Sequence, residues 1–132
     1  MAQENIEGPL TFLLGEPAAT GIQKYRLVRP DAADVSKAVY CDAGEDPIGV
    51  TVLAAPRWAN MSAASIANET VAVRPLHKCA SCIVVASGAL SAGDDLYTAN
   101  DGKVSNAGSG PKIGVARESA VADGDEIEMM PA

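Results

Sequence analysis

The densest group of potentially reactive side chains lies in residues 77–82, which contain the chain's one histidine and two of its three cysteines. A Cys-x-x-Cys pair (Cys79 and Cys82) beside His77 matches part of the ligand pattern of a zinc site, and Cys41 is a candidate fourth ligand. However, there is no second Cys-x-x-Cys pair, and Cys82 runs directly into an apolar segment. Because free cysteine often acts as a small buried hydrophobic residue, structural thiols are the favoured interpretation. Zinc binding and redox chemistry are the alternatives.

Other catalytic patterns are absent from the sequence. Any histidine-based acid–base or nucleophilic scheme depends on His77 alone. There is no Gly-x-Ser-x-Gly elbow, phosphate-binding loop, His-Glu-x-x-His motif or dinucleotide fingerprint. Acidic residues lie in turns such as 44–46, which is typical of a solvated surface. We therefore predict no catalytic residue, no metal site and no cofactor, and we do not expect an enzyme.

Charge and composition exclude further classes. The chain has 132 residues and a formal net charge of −7, which argues against a nucleic-acid-binding protein because such proteins need a basic surface. No apolar run approaches the roughly 18 residues of a membrane span. Residues 1–5 lack the basic start and apolar stretch of a signal peptide. Val, Ile, Leu and Phe together account for 28 residues, which predicts a thin hydrophobic core.

Short apolar runs separated by turn residues follow one another along the chain. They hold four to seven residues, are rich in Val, Ile, Thr and Tyr, and begin about ten residues apart, which is typical of strands. The sequence therefore predicts an all-β fold, a compact β-sandwich or barrel of short antiparallel strands. Asn100–Gly102 predicts a tight turn. The expected helices are at most two short ones, at 31–37 and 54–68. The predicted strands span 10–14, 22–28, 38–41, 48–53, 70–73, 81–85, 95–98, 113–116 and 126–130.

The domain organisation leaves two questions open. Residues 1–21 are either an extended N-terminal arm or the first strand, and 22–132 form a single β domain. Within that domain, Pro-Ile-Gly-Val at 47–50 is followed much later by Lys-Ile-Gly-Val at 112–115. This repetition suggests two related β units, at about 36–76 and 93–131. The alternative is chance similarity in a chain rich in alanine, glycine and valine.

Three short motifs then occur in a characteristic order. They are Ala-Ser-Gly followed by Ala-Gly-Asp within 86–94, Asp-Gly-Lys at 101–103, and Ile-Gly-Val-Ala at 113–116. In this order they resemble the small capsid decoration, or cement, proteins of tailed bacteriophages. The resemblance covers residues 38–130, whereas the N-terminal third matches less clearly.

The resemblance implies a structural role. Such a protein is made in the host cytoplasm, binds the outer surface of the assembled phage head and clamps neighbouring major capsid proteins against the pressure of packaged DNA. It commonly acts as a homotrimer, and it has no catalytic residues and no nucleic-acid or membrane partner. The alternatives are another virion β module, associated with the tail or a spike, and a small metal-stabilised binding domain.

Two segments are candidate partner interfaces. The first is the N-terminal segment, whose apolar strip could add to an exposed sheet edge of the capsid protein or of a neighbouring subunit. The second is an irregular stretch whose Arg, Trp and Met are residue types enriched at interfaces; alternatively, it is a loop folded over the core. The candidate residues are Asn5, Leu10, Phe12, Leu13 and Leu14 in the first segment, and Arg57, Trp58 and Met61 in the second.

Overall fold

The computed structural model describes residues 10–16, 21–52, 70–108 and 110–132. Regular structure in these residues is β, apart from the 3₁₀ turns Leu76–Lys78 and Asn100–Gly102, which confirms the all-β prediction. Within the described ranges no helix is long and apolar enough to cross a membrane. The strands are β1 (Leu10–Leu14), β2 (Leu27–Pro30), β3 (Lys37–Tyr40), β4 (Gly49–Thr51), β5 (Thr70–Pro75), β6 (Cys82–Val85), β7 (Asp95–Thr98), β8 (Val104–Ser105), β9 (Gly114–Ala116) and β10 (Glu126–Pro131).

The strands form two units of five. In the first unit, β1–β5 close into a barrel in the order β1-β3-β2-β4-β5, with β5 paired back to β1. In the second unit, β6–β10 form a sheet in the order β6-β10-β9-β7-β8. A parallel bridge connects Ala86, the residue after β6, to Val104 of β8, so the two edges of that sheet meet. Joining the edges in this way protects their unpaired backbone groups.

The two units have equivalent strand pairing. In the first, Gly49 of β4 lies opposite Pro75 at the end of β5; in the second, Gly114 of β9 lies opposite Pro131 at the end of β10. Extending this equivalence, β1 to β5 correspond in order to β6 to β10. The sequence repetition at 47–50 and 112–115 therefore falls at equivalent strands, and the units span 10–75 and 82–131.

Equivalent positions also build the two hydrophobic cores. Each unit buries apolar side chains from its strands and from the segment before its second strand, and the second unit adds Ala86, the residue after β6. Such burial drives folding by about 25 cal/mol per Å² of apolar surface. In the first unit these side chains are Leu14, Ile22, Val28, Ala38, Val71 and Val73. Their counterparts in the second unit are Ala86, Leu90, Leu96, Val104, Ile127 and Met129.

The first unit packs one face against the second. Leu27, Cys41 and Val50 are buried in the core cluster of the second unit. Hydrogen bonds also join the two units: the Gly44 N–H donates to Thr98 Oγ1 at 3.0 Å, and the Thr98 hydroxyl donates to the Glu45 carbonyl at 3.2 Å. Because Thr98 is only 1% exposed, these bonds satisfy a buried hydroxyl that would otherwise destabilise the fold.

Several details differ from the sequence predictions, and strand β8 is not among the predicted strands. The pairing of β1 with β3 is parallel, whereas only antiparallel pairs were expected. The predicted strand 22–28 begins only at Leu27, because Lys24 and Tyr25 form a turn. The predicted helix at 31–37 is wrong: the Asp31 and Asp34 carboxylates accept backbone N–H groups two residues ahead and stabilise turns instead. The predicted helix at 54–68 lies outside the described residues.

The predicted turn at Asn100–Gly102 is confirmed. It connects β7 to β8, and the Ala99 N–H donates to the Lys103 carbonyl at 2.9 Å to close the hairpin. Asp101 and Gly102 have φ angles of 61° and 72°. Glycine and aspartate tolerate this left-handed region better than most residues, which explains why this tripeptide forms the turn.

Candidate functional site

Of the two predicted interface segments, the structure describes the apolar strip of the first. Leu10–Leu14 is β1, which pairs with β5 on one side and with β3 on the other. Leu14 is buried in the first core, Leu13 is half-buried, and Leu10 and Phe12 are half-buried at the barrel surface. The apolar strip is thus a strand of the barrel. The other predicted interface residues, Asn5, Arg57, Trp58 and Met61, lie outside the described residues.

Leu10 and Phe12 line an apolar groove with a volume of about 570 Å³. Ile48 and Ile113, which precede the equivalent strands β4 and β9, also line it, so both units contribute to one surface. We call this surface the proline groove. Five of the chain's eight prolines line it: Pro30, Pro47, Pro75, Pro111 and Pro131.

The prolines limit the kind of partner contact that the proline groove can make. Proline has no N–H, so these rim positions cannot donate a hydrogen bond to an added strand. Asp46, His77 and Lys112 are the charged or titratable residues in its lining. Such a groove suits an apolar side chain of a partner that fills it, as in the buried anchors of protein interfaces.

A second cleft, of about 350 Å³, lies between β4–β5 of the first unit and β6 of the second. Tyr25 stands at this cleft on a tight turn. The Tyr25 N–H donates to the Thr51 carbonyl at 2.8 Å. The Thr51 hydroxyl accepts from the Arg26 N–H at 3.0 Å and donates to the Gln23 carbonyl at 2.7 Å. Thr51, fully buried, therefore fixes the turn that presents Tyr25.

Tyr25 has an unusual backbone conformation for a large residue. Its φ angle is 62°, in the left-handed region that costs about 1–3 kcal/mol for a bulky side chain. The equivalent turn of the second unit has Gly93 there, with φ 92° and the corresponding bond from its N–H to the Ala116 carbonyl, at 2.7 Å. The first unit thus has tyrosine at a turn position where the second unit has glycine, which adopts a positive φ freely.

Several basic side chains form ion pairs within the part of the chain that the structure describes. All three basic side chains within 82–132 are paired: Lys103 with Asp123 at 2.7 Å, Lys112 with Asp95 at 3.0 Å and Arg117 with Glu128 at 2.8 Å. In the first unit, Lys24 has no ion pair within the described residues, and its Nζ lies 5.1 Å from the centroid of the Tyr25 ring. Lys24 therefore places a cation beside the Tyr25 ring.

Arg29 and Glu45 form the ion pair that links β2 to the turn before β4, at 2.7 Å. The hydrogen bond to Glu45 raises the pKa of Arg29. The pKa of Glu45 is lowered, first by the hydrogen bond from the Asp42 N–H and then by Arg29. This pair holds the turn that contacts Thr98 and so has a structural role.

Two of the three cysteines lie in surroundings that disfavour reactivity. Burial raises the pKa of the Cys41 and Cys82 thiols to about 12, which suppresses the nucleophilic thiolate. Cys79 donates to the Pro75 carbonyl at 3.1 Å, and His77 is exposed on a 3₁₀ turn. No three His, Cys, Asp or Glu side chains within the described ranges gather as metal ligands would.

Comparison with solved structures shows a protein of similar fold. The chain is similar to the N-terminal base of the head fiber protein gp8.5 of bacteriophage phi29, with a TM-score of 0.66. The alignment covers 94% of this chain and 92% of that one at 19% identity, which shows that the two share a fold. No family model matches the chain, and no curated protein matches it.

Sequence reasoning missed both the proline groove and the Tyr25 turn. The groove draws on prolines 101 positions apart in the chain, from Pro30 to Pro131, so no local pattern indicates it. The match between Tyr25 and Gly93 comes from strand pairing, in which Val28 lies opposite Gly49 and Leu96 lies opposite Gly114. The repeated Ile-Gly-Val motifs are spaced differently from these strands, so the sequence alone does not indicate the match.

Proposed function

We propose that this chain is a structural protein of a bacteriophage virion that binds the outer surface of the head. The observation that carries the proposal is the shared fold with a phage head fiber base over nearly the full length of both chains. The motif order described above, similar to that of capsid decoration proteins, supports the same assignment independently. Buried, protonated thiols at Cys41 and Cys82 are compatible with a structural role.

In the more specific form of the proposal, the chain cements neighbouring major capsid proteins as a homotrimer. A trimer presents three copies of the proline groove, so its avidity for a lattice far exceeds the affinity of one subunit. The net charge of −7 keeps an abundant protein soluble before assembly. The groove supplies the apolar contact through Leu10 and Phe12, the two predicted interface residues that line it.

A second role follows from the structural neighbour, which is the base of a head fiber. In that role the chain binds the head as the attachment point for another virion module and adds nothing to capsid strength. The two roles differ in a measurable way. Bound cement raises the temperature or osmotic shock that heads survive, whereas a base leaves that resistance unchanged.

The test uses DNA-filled heads from a phage whose gene for this protein is deleted. We expect the purified chain to have a trimeric mass and to co-sediment with these heads until its sites are saturated. Leu10→Asp places a charge in the proline groove and should weaken binding by at least about tenfold. Val35→Asp is the matched control because Val35 is 73% exposed in a turn. A folded protein that does not co-sediment with the heads would overturn the proposal.

A further inference from the structure

The two units present the same turn with different residues. In both, the N–H of the third turn residue donates to a carbonyl at the end of the unit's fourth strand, from Tyr25 to Thr51 and from Gly93 to Ala116. Glycine adopts the required positive φ freely, whereas tyrosine does so only under strain. A strained residue persists where the surrounding structure holds it, and such residues cluster at functional sites.

Hydrogen bonds around Tyr25 hold the strained turn. Thr51, fully buried, makes one hydrogen bond to each side of the turn. Tyr25 is half-buried and lines the cleft together with the exposed Arg74 and with Ile83, which is 42% exposed. Lys24 is exposed beside the ring. We call Lys24, Tyr25 and Arg74 the Tyr25 corner.

The charge of the Tyr25 corner indicates the chemistry of its partner. The chain is strongly acidic overall, yet Lys24 lies beside the Tyr25 ring and Arg74 lines the same cleft as Tyr25, so two cationic side chains lie near this phenol. The carboxylates in the cleft are engaged: Glu128 pairs with Arg117, and Glu118 accepts the Glu128 N–H at 3.0 Å. Tyrosine and arginine are also typical anchors of protein interfaces. A carboxylate-bearing protein segment complements this surface.

We propose that the Tyr25 corner binds a carboxylate-bearing segment of the protein that forms the head shell. This inference rests on the proposed function and assigns its partner contact to a site separate from the proline groove. The strain at Tyr25 is then retained because the ring contributes to binding. The corner gives up stability that glycine would supply and gains affinity for the partner.

The experiment measures stability and head binding of the same variants. Tyr25→Gly installs the residue that the second unit uses, so we expect an unchanged or higher melting temperature together with head binding weakened by at least about tenfold. Lys24→Glu should weaken binding by about threefold or more, and more strongly at low salt than at high salt. Val121→Gly is the control for side-chain loss, since Val121 is 85% exposed in the second unit.

The possible outcomes separate this inference from the proposed function. If the natural chain does not bind heads, the proposed function and this inference both fail. If the natural chain binds and Tyr25→Gly binds equally well, only this inference is wrong. If Tyr25→Gly instead changes the mass of the free protein while head binding persists, the corner joins copies of this chain, which also overturns the inference.

Discussion

Gly49 lies directly opposite Pro75 in the ladder between β4 and β5, and Gly114 lies opposite Pro131 at the equivalent place in the second unit. A Cβ atom at Gly49 would overlap the carbonyl of Arg74, and one at Gly114 would lie 2.5 Å from the Met130 carbonyl oxygen. The repeated Ile-Gly-Val motif therefore has a steric reason: its glycine lets the following strand approach.

This close approach predicts that adding a single methyl group at either glycine destabilises the protein. Gly49→Ala and Gly114→Ala should each lower the free energy of unfolding by about 1–3 kcal/mol, because backbone atoms must move to admit the Cβ. Gly88→Ala is the matched control, since a Cβ there meets nothing within 4 Å. Chemical denaturation of the three variants checks the prediction. Equal stability of all three would show that the strands are not this tightly packed.

The buried hydroxyl of Thr51 provides a second prediction. Thr51→Val keeps the shape but leaves the Arg26 N–H and the Gln23 carbonyl without their partner. We expect a loss of about 1–3 kcal/mol in the free energy of unfolding. The comparison is Thr11→Val, at an exposed position of β1, which should change stability by less than about 0.5 kcal/mol. Thermal and denaturant unfolding measure both values.

The sequence allows the fold class and most strands to be predicted, because apolar runs bounded by turn residues are local patterns. Leu10–Leu14 and Asp95–Thr98 coincide with their predicted strands. The helix expected at 31–37 fails because the aspartates there stabilise turns. The Tyr25 turn and the proline groove depend on which distant strands meet, and a single sequence does not contain that pairing.

The two most buried thiols predict how stability depends on alkaline pH. Burial raises the pKa of Cys41 and of Cys82 from 9.0 to about 12. The unfolded thiols ionise first, so their contribution to stability is fully present below about pH 9 and is lost progressively between about pH 9 and 12. The free energy of unfolding, measured from pH 8 to 11, should fall with pH.

Substituting the two buried cysteines isolates their contribution to the fall in stability at alkaline pH. Cys41→Ala with Cys82→Ala should start from a lower stability, because the smaller side chains leave cavities, and should fall less steeply above pH 9. In the natural chain, thiol-specific reagents at pH 8 should label the half-buried Cys79 before the other two. Rapid labelling of Cys41 in the folded protein would contradict its burial.

A carboxylate in the second unit predicts the opposite pH dependence at the acid end. The Val121 and Ala122 N–H groups donate to Asp125 Oδ2 at 2.8 and 3.1 Å and lower the pKa of this carboxyl. Its contribution to stability is therefore present above the ordinary aspartate pKa of about 4 and is lost as the pH falls below it.

Asp125→Asn should be less stable than the natural chain at pH 7, and this deficit should shrink towards pH 2. The control is Glu126→Gln, at an exposed strand position, which should differ little in stability from the natural chain at pH 7. Denaturant unfolding at both pH values measures the two deficits. A deficit in Asp125→Asn that stays constant down to pH 2 would mean that the carboxylate charge does not stabilise this turn.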